Sequence, residues 1–233
     1  MRNFKTIQVK LEQFIRKFYT NELIKGVILF FAIGLLYFLA TLLIEFALWL
    51  NPTARTVLFW LFIVVELSLF FRFIAFPLSK LFKLQKGINH EDASIIIGNH
   101  FPEVSDKLLN VLQLQKDKTQ SELLLASIDQ KSAELQPIPF KLAINFNSNV
   151  RFLKYAAIPV GVLLVSLVTG HFNWFSDSYE RVVNYQIAYE PPAPFQFYVI
   201  NENLKAIENK DFKLIITTEG NAIPDNAQIT YNN

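Results

Sequence analysis

Apolar residues crowd into three stretches, Val27–Leu50, Val57–Phe76 and Tyr155–Thr169, with polar sequence between them. In the first, 18 consecutive residues from Val27 to Ile44 carry no charge. A helix of about that length crosses a hydrocarbon core of roughly 30 Å at 1.5 Å per residue. The pattern predicts a membrane protein with three transmembrane α-helices. Asn51-Pro52 supplies a helix cap followed by a first-turn proline, so the first two spans read as a tight hairpin over 26–77, with helices near 27–50 and 55–76. Phe76-Pro77 predicts the end of span two, and span three covers 153–170. The first span reads as a retained anchor: 26 residues precede it, its core exceeds a signal-peptide h-region, and no small-x-small site follows it.

Helical periodicity returns in the polar stretches. Ile7, Leu11, Phe14, Ile15 and Phe18 recur on one face of a 3.6-residue period, with Lys10, Arg16 and Lys17 off it. This predicts an amphipathic helix in segment 1–25. One reading lays it on the inner leaflet with its bases toward anionic headgroups; the other packs it on the neighbouring helical domain. Residues 78–152 read as that small domain. Asn89, with Asp92 three positions on, caps a first helix carrying Ala93, Ile96 and Ile97 and ending at Gly98. A second carries Val104, Leu108, Val111 and Leu112. Thr119 and Glu122 form a capping box for a third, with Leu124, Ile128 and Leu135 inward.

Beyond span three the period becomes two. Val182–Tyr189, Phe195–Ile200, Phe212–Thr218 and Ala227–Tyr231 read as strands between Pro- and Gly-rich turns. Segment 171–233 therefore reads as an incomplete immunoglobulin-like β module, since such a sandwich needs about seven strands. The expectation is that the native chain continues past Asn233.

Charge orients the spans. Arg2, Lys5, Lys10, Arg16, Lys17 and Lys25 precede the first; Arg72, Lys80, Lys83 and Lys86 follow the second; Arg151 and Lys154 precede the third. The hairpin turn carries only Arg55, and beyond Thr169 four basic residues face eight acidic ones. The positive-inside rule puts the N-terminus and 77–152 in the cytoplasm and everything after His171 in the periplasm of a bacterial inner membrane. Trp49, Trp60, Trp174, Phe172 and Phe175 fit an aromatic belt on the far side. A net charge of +2 gives no reason to expect nucleic acid, and a chain without cysteine has no disulfide or thiolate chemistry.

Little in the chain points to catalysis. His100, Ser105 and Asp106 lack triad spacing and a nucleophile elbow. His90, His100 and His171 make no metal set, and no phosphate-binding or dinucleotide fingerprint occurs. No cofactor, metal or enzyme activity is expected. Glu66 stands apart, because an ionised carboxylate near mid-bilayer costs about 2.5 kcal/mol or more. Counting back from the turn places it level with Tyr37 and Thr41, which predicts a neutral carboxyl hydrogen-bonded as assembly glue, or alternatively a relay. Glu45, near the outer end of span one, is expected to reach headgroups or water.

The run Glu91–Leu114, and within it Phe101, Pro102, Ser105, Asp106, Lys107, Leu108 and Asn110, resembles the cytoplasmic segment of large bacteroidete inner-membrane proteins, a family known only as a domain of unknown function. The resemblance implies two N-terminal spans, a helical segment, a third span and a long extracytoplasmic region. It implies no catalytic residue. The function expected is a non-catalytic anchor or scaffold subunit contacting lipids and other membrane subunits. An accessory role in protein export or envelope assembly, or a conducting role through Glu66, are the alternatives.

Overall fold

The computed structural model describes residues 2–116, 121–189, 195–201, 204–205, 211–220, 222, 224 and 226–228. The chain divides into two units, 1–187 and 188–233.

One helix organises the first unit. α1 runs unbroken from Arg2 to Leu48, 47 residues and about 70 Å. No proline or glycine pair interrupts it, so the expected amphipathic segment and the first span are one rod. Its N-terminal half is the centre of a helical head. Phe4, Ile7, Leu11 and Phe14 are buried against α4 (His90–His100), α5 (Ser105–Lys116), α6 (Glu122–Leu135) and a 3-10 turn at Phe140–Ala143. The inward residues of those helices include Ala93, Ile97, Val104, Leu108, Val111, Leu112, Ile128 and Leu135, with Ile15 and Phe18 packed at the edge.

This corrects the lipid-surface reading of residues 4–20, because the apolar face is already covered by protein. Two of its three bases are committed too. The Lys10 ammonium donates to the Gln136 and Ile138 carbonyls, and Lys17 to the Lys141 carbonyl at 2.7 Å. Arg16 stays exposed. Asn3 adds a polar tie, donating to both Asp129 carboxylate oxygens and accepting from Gln136.

The caps follow local chemistry. Asn89 and Asp92 close a reciprocal box at the start of α4. α4 does not stop at Gly98, which lies buried inside it; the helix continues to His100. α6 is capped by Ser121, which accepts from the Leu124 N–H. Thr119, expected in that role, lies outside the described residues.

α2 (Pro52–Phe70) is capped by Asn51, which accepts from the Ala54 N–H, with Pro52 in the first turn. Phe76-Pro77 does not end it. The turn Phe71–Ala75 widens to a π-helix, and α3 (Phe76–Leu81) continues the same rod. Pro77 has no N–H to give the Phe73 carbonyl four residues earlier, and its ring would crowd that oxygen in a regular helix. The wide turn relieves this, as such bulges do. The Phe73 carbonyl then lies against Gly26 of α1, where a Cβ would stand 1.9 Å from its oxygen.

α7 (Val150–Val168) packs along α1 with Pro159 inside it. α1, the α2–α3 rod and α7 with its preceding turn are each long and apolar enough to cross a membrane. α8 (Asn173–Val183) follows and packs on α1 and α2. It takes the first two residues of the strand expected over Val182–Tyr189, and 184–189 are turn and coil, so that strand is absent. Its buried face is Phe175, Ser178, Arg181 and Val182, and with half of that face polar an apolar count misses the helical period.

In the second unit β1 (Phe195–Val199) pairs antiparallel with β2 (Ile216–Gly220), Phe195 opposite Gly220 and Val199 opposite Ile216. Asn201 extends the pair, accepting from the Ile215 N–H and donating to the Lys213 carbonyl. Residues 227–228 are not in a strand, and 229–231 lie outside the described residues.

Two substitutions test this packing. Phe14→Ala should cost about 3–5 kcal/mol, the usual range for emptying a buried aromatic site, against roughly 0.5 kcal/mol or less for Arg16→Ala. Amide hydrogen exchange across α4–α6 in the whole chain reads the loss. Gly26→Ala should separate α1 from the π turn and accelerate exchange at 70–77, while leaving α4–α6 protected.

Candidate functional site

The most concentrated polar chemistry lies at the C-terminal end of α1. Glu45 sits one turn before the helix ends, with its side chain 0% exposed. Arg55, one turn into α2, points back at it: Nε donates to Glu45 Oε1 at 3.2 Å and the Arg55 Nη2 stands 3.1 Å from the same oxygen. Arg181 from α8 takes the other oxygen, its Nε and Nη2 both 2.8 Å from Glu45 Oε2. One carboxylate thus binds two guanidinium groups, and through them three helices.

The remaining donors are also used. Arg55 donates to the Leu50 carbonyl at 2.7 Å and the Ile187 carbonyl at 2.9 Å. Arg181 donates to Ser178 Oγ at 3.0 Å and lies 4.1 Å from the centre of the Trp49 ring. The Leu50 carbonyl sits just past the negative end of the α1 dipole, which favours a cation there. Trp49 adopts φ 44°, a left-handed conformation unusual for a bulky residue, and there it ends α1. Aromatic pairs surround the cluster, with Phe46 stacked on Trp174 at 5.0 Å and Phe59 on Tyr185 at 4.7 Å. Leu39, Leu42, Phe175 and Val182 form the apolar core beside it.

Glu45 therefore does not reach headgroups or water. The reason is distance: Arg55 and Arg181 are brought to it by the hairpin and by α8, and each guanidinium takes one carboxylate oxygen in place of solvent. Sequence reasoning missed both arginines. Arg55 was visible as the lone charge of the turn, ten positions after Glu45. Arg181 entered only as one of the basic residues beyond Thr169, because no helix was expected over Asn173–Val183.

Glu66 is placed differently. Tyr37 stacks on Phe62, and the Thr41 hydroxyl donates to the Tyr37 carbonyl, so neither serves the carboxylate. Glu66 instead faces Gly34, where a Cβ would lie 2.8 Å from its Oε2. The hairpin turn centres near residue 50, which pairs level 66 with level 34. The Glu66 Oε1 is buried without a hydrogen-bond partner.

The Phe101–Asn110 run splits between structure and surface. Phe101 packs at the edge of the head core with His100 edge-on at 4.7 Å, and Leu108 is in the core. Pro102 sits in the turn before α5, and α5 opens at Ser105. Asp106 and Asn110 are exposed, and Lys107 reaches Glu134 at 4.0 Å. The run makes a helix start rather than a pocket. Among the described residues no three His, Asp or Glu side chains stand close enough together to hold a metal. No family model, curated protein or solved structure matches the chain.

Glu45→Gln should be costly, because it leaves two buried guanidinium groups without their anion. The expected loss is about 3–5 kcal/mol, read as a fall in the thermal unfolding midpoint of the detergent-solubilised chain. Replacing all three charges together, Glu45→Leu with Arg55→Met and Arg181→Met, should recover more than half of it, since an apolar set of similar volume removes the desolvation cost.

Proposed function

We infer that the chain is a non-catalytic inner-membrane anchor and scaffold subunit, in which α1 couples a cytoplasmic helical head to elements on the periplasmic side. The observation that carries this reading is the continuity of α1. The head core is built on its first four turns, and its last turn holds the Glu45 cluster that binds α2 and α8. A single helix locked at both ends transmits tilt or displacement with little loss.

Exposed apolar surface supports the membrane setting. Val57, Trp60, Leu61, Val64, Leu67, Phe70 and Phe71 all face outward on the α2 rod, and Arg55 is the only buried residue of α2. α7 presents Ile158, Leu164, Val165 and Leu167 in the same way. Surface of that extent calls for lipid or protein cover. The positive-inside bias then orients the head to the cytoplasm and α8 to the periplasm. The immunoglobulin-like reading of 188–233 belongs to the same proposal, with β1 and β2 as one of its hairpins, and so does the likeness of the Phe101–Asn110 run to the bacteroidete family.

Glu66 supports a second reading, a conducting or relay subunit, because its Oε1 is buried without a partner. The scaffold reading treats Glu66 as a packing group between α1 and α2, seated against Gly34.

Both readings have direct tests. The chain lacks cysteine, so single substitutions report cleanly. An impermeant thiol reagent applied to the periplasmic face should label Asn201→Cys and spare Ser121→Cys; the opposite pattern inverts the topology. Glu66→Gln should leave subunit co-purification in mild detergent intact, and Glu66→Leu should weaken it by about 1 kcal/mol, the scale of one interhelical hydrogen bond. Lost activity with full assembly in Glu66→Gln would favour the relay.

A further inference from the structure

Where the head meets the α2–α3 rod, a cleft of about 530 Å³ opens beside Tyr19. Glu12 and Tyr19 line it from α1, Lys80 from α3, and Lys83, Lys86 and His90 from the linker into α4 and its first residue. Three lysines and one carboxylate thus line it. Glu12 is already engaged, 2.5 Å from the Lys83 Nζ and 3.2 Å from the His90 Nε2. The bond from Lys83, with the help of His90, holds its carboxyl below the usual range, so it stays an anion at neutral pH. Lys80 and Lys86 have no carboxylate in ion-pairing range among the described residues. The Lys80 ammonium lies over the Phe76 ring at 4.2 Å and the Tyr19 ring at 5.9 Å.

The cleft wall is fixed rather than loose. The Ile88 N–H donates to the Tyr19 hydroxyl at 2.7 Å, and Gly87 lies so close that a Cβ there would stand 2.8 Å from that hydroxyl. Lys83 holds φ 58°, a left-handed conformation that favours glycine. The turn closes around it, with the Leu84 N–H donating to the Ser79 carbonyl at 2.8 Å. That left-handed residue ends α3 as its C-terminal cap and fixes where the linker leaves the rod.

Two further observations choose the ligand. Phe82 and Leu84, on the same turn, are 67% and 79% exposed. Apolar side chains interleaved with lysines suit the boundary between headgroups and acyl chains, not open water. Lys80 follows Phe76 by four residues, about 6 Å along the rod, which sets it at headgroup depth if the apolar rod spans the membrane.

The geometry points to a binding site for the phosphate of an anionic phospholipid, held between Lys80 and Lys86, with the exposed Phe82 and Leu84 beside it at the membrane surface. The site rests on the membrane reading proposed above, and it fixes the joint between head and spans to the lipid.

The test uses the full chain in neutral detergent, titrated with short-chain phosphatidylglycerol, short-chain phosphatidylcholine and inorganic phosphate. Binding is read by native mass spectrometry and by hydrogen exchange at residues 80–90. Phosphatidylglycerol should protect that segment, and Lys80→Gln with Lys86→Gln should weaken its binding by about tenfold or more, the scale of removing two charges at an anionic surface. A control pair outside the cleft, Arg151→Gln with Lys154→Gln, should change it by less than about twofold, and matching circular dichroism spectra establish that both variants are folded. Equal losses in the two pairs, or no protection at 80–90, would overturn the site. Inorganic phosphate binding as tightly as the lipid would overturn the lipid as its ligand. Alkaline carbonate extraction separates the two proposals. Release of the chain from membranes, with phosphatidylglycerol still protecting 80–90, refutes the spans and leaves the cleft; retention without protection refutes the cleft alone.

Discussion

A helix of 47 residues cannot be covered by one kind of neighbour, and the rest of the first unit follows from how α1 changes its cover. Over its first four turns the apolar stripe is narrow, and short amphipathic helices enclose it. Beyond Gly26 the sequence is apolar on nearly every face, so helix neighbours need bury only part of it. The transition falls at Tyr19–Gly26. There the polar ties of the head give way to a backbone contact close enough to exclude any side chain. α4–α6, the π turn and α7 are all placed by that change in surface.

Charge inside this frame obeys geometry more than depth. Glu45 and Glu66 are both carboxylates on apolar rods. Glu45 lies near the hairpin, where chain reversal brings Arg55 within reach and α8 folds back with Arg181. Glu66 lies mid-rod, where the facing residue is a glycine with nothing to donate. The cluster at Glu45 carries a net positive charge in a buried place, and neighbouring carbonyls and the Trp49 ring absorb it. Such a set adds little net stability over an apolar replacement. Its value lies in fixing which helices meet.

Much of this was legible in the sequence, and the failures share a cause. The span pattern, the Asn51 and Asn89 caps and the inward faces of α4, α5 and α6 all came from residues whose chemistry acts locally. The surface placement of residues 4–20 failed because an amphipathic stripe looks the same whether lipid or protein covers it. Pro77 was read as a stop because a π turn leaves no signature in composition. α8 was missed because its inner face includes Ser178 and Arg181, and the polar site went with it: Arg181 has meaning only beside Glu45, 136 positions earlier.

The π turn at Phe71–Ala75 also sets a phase. A regular helix advances about 100° per residue, and accommodating one extra residue in a turn rotates everything downstream by that amount relative to α2. Pro77 thereby meets α1 instead of continuing the outward face beside Phe70, and Lys80 comes over Tyr19. The bulge acts as an angular gear between the portion of the rod with an exposed apolar face and the portion that meets the head. Loss of a single residue there would leave the length of the span almost unchanged and turn its basic end away from its partner.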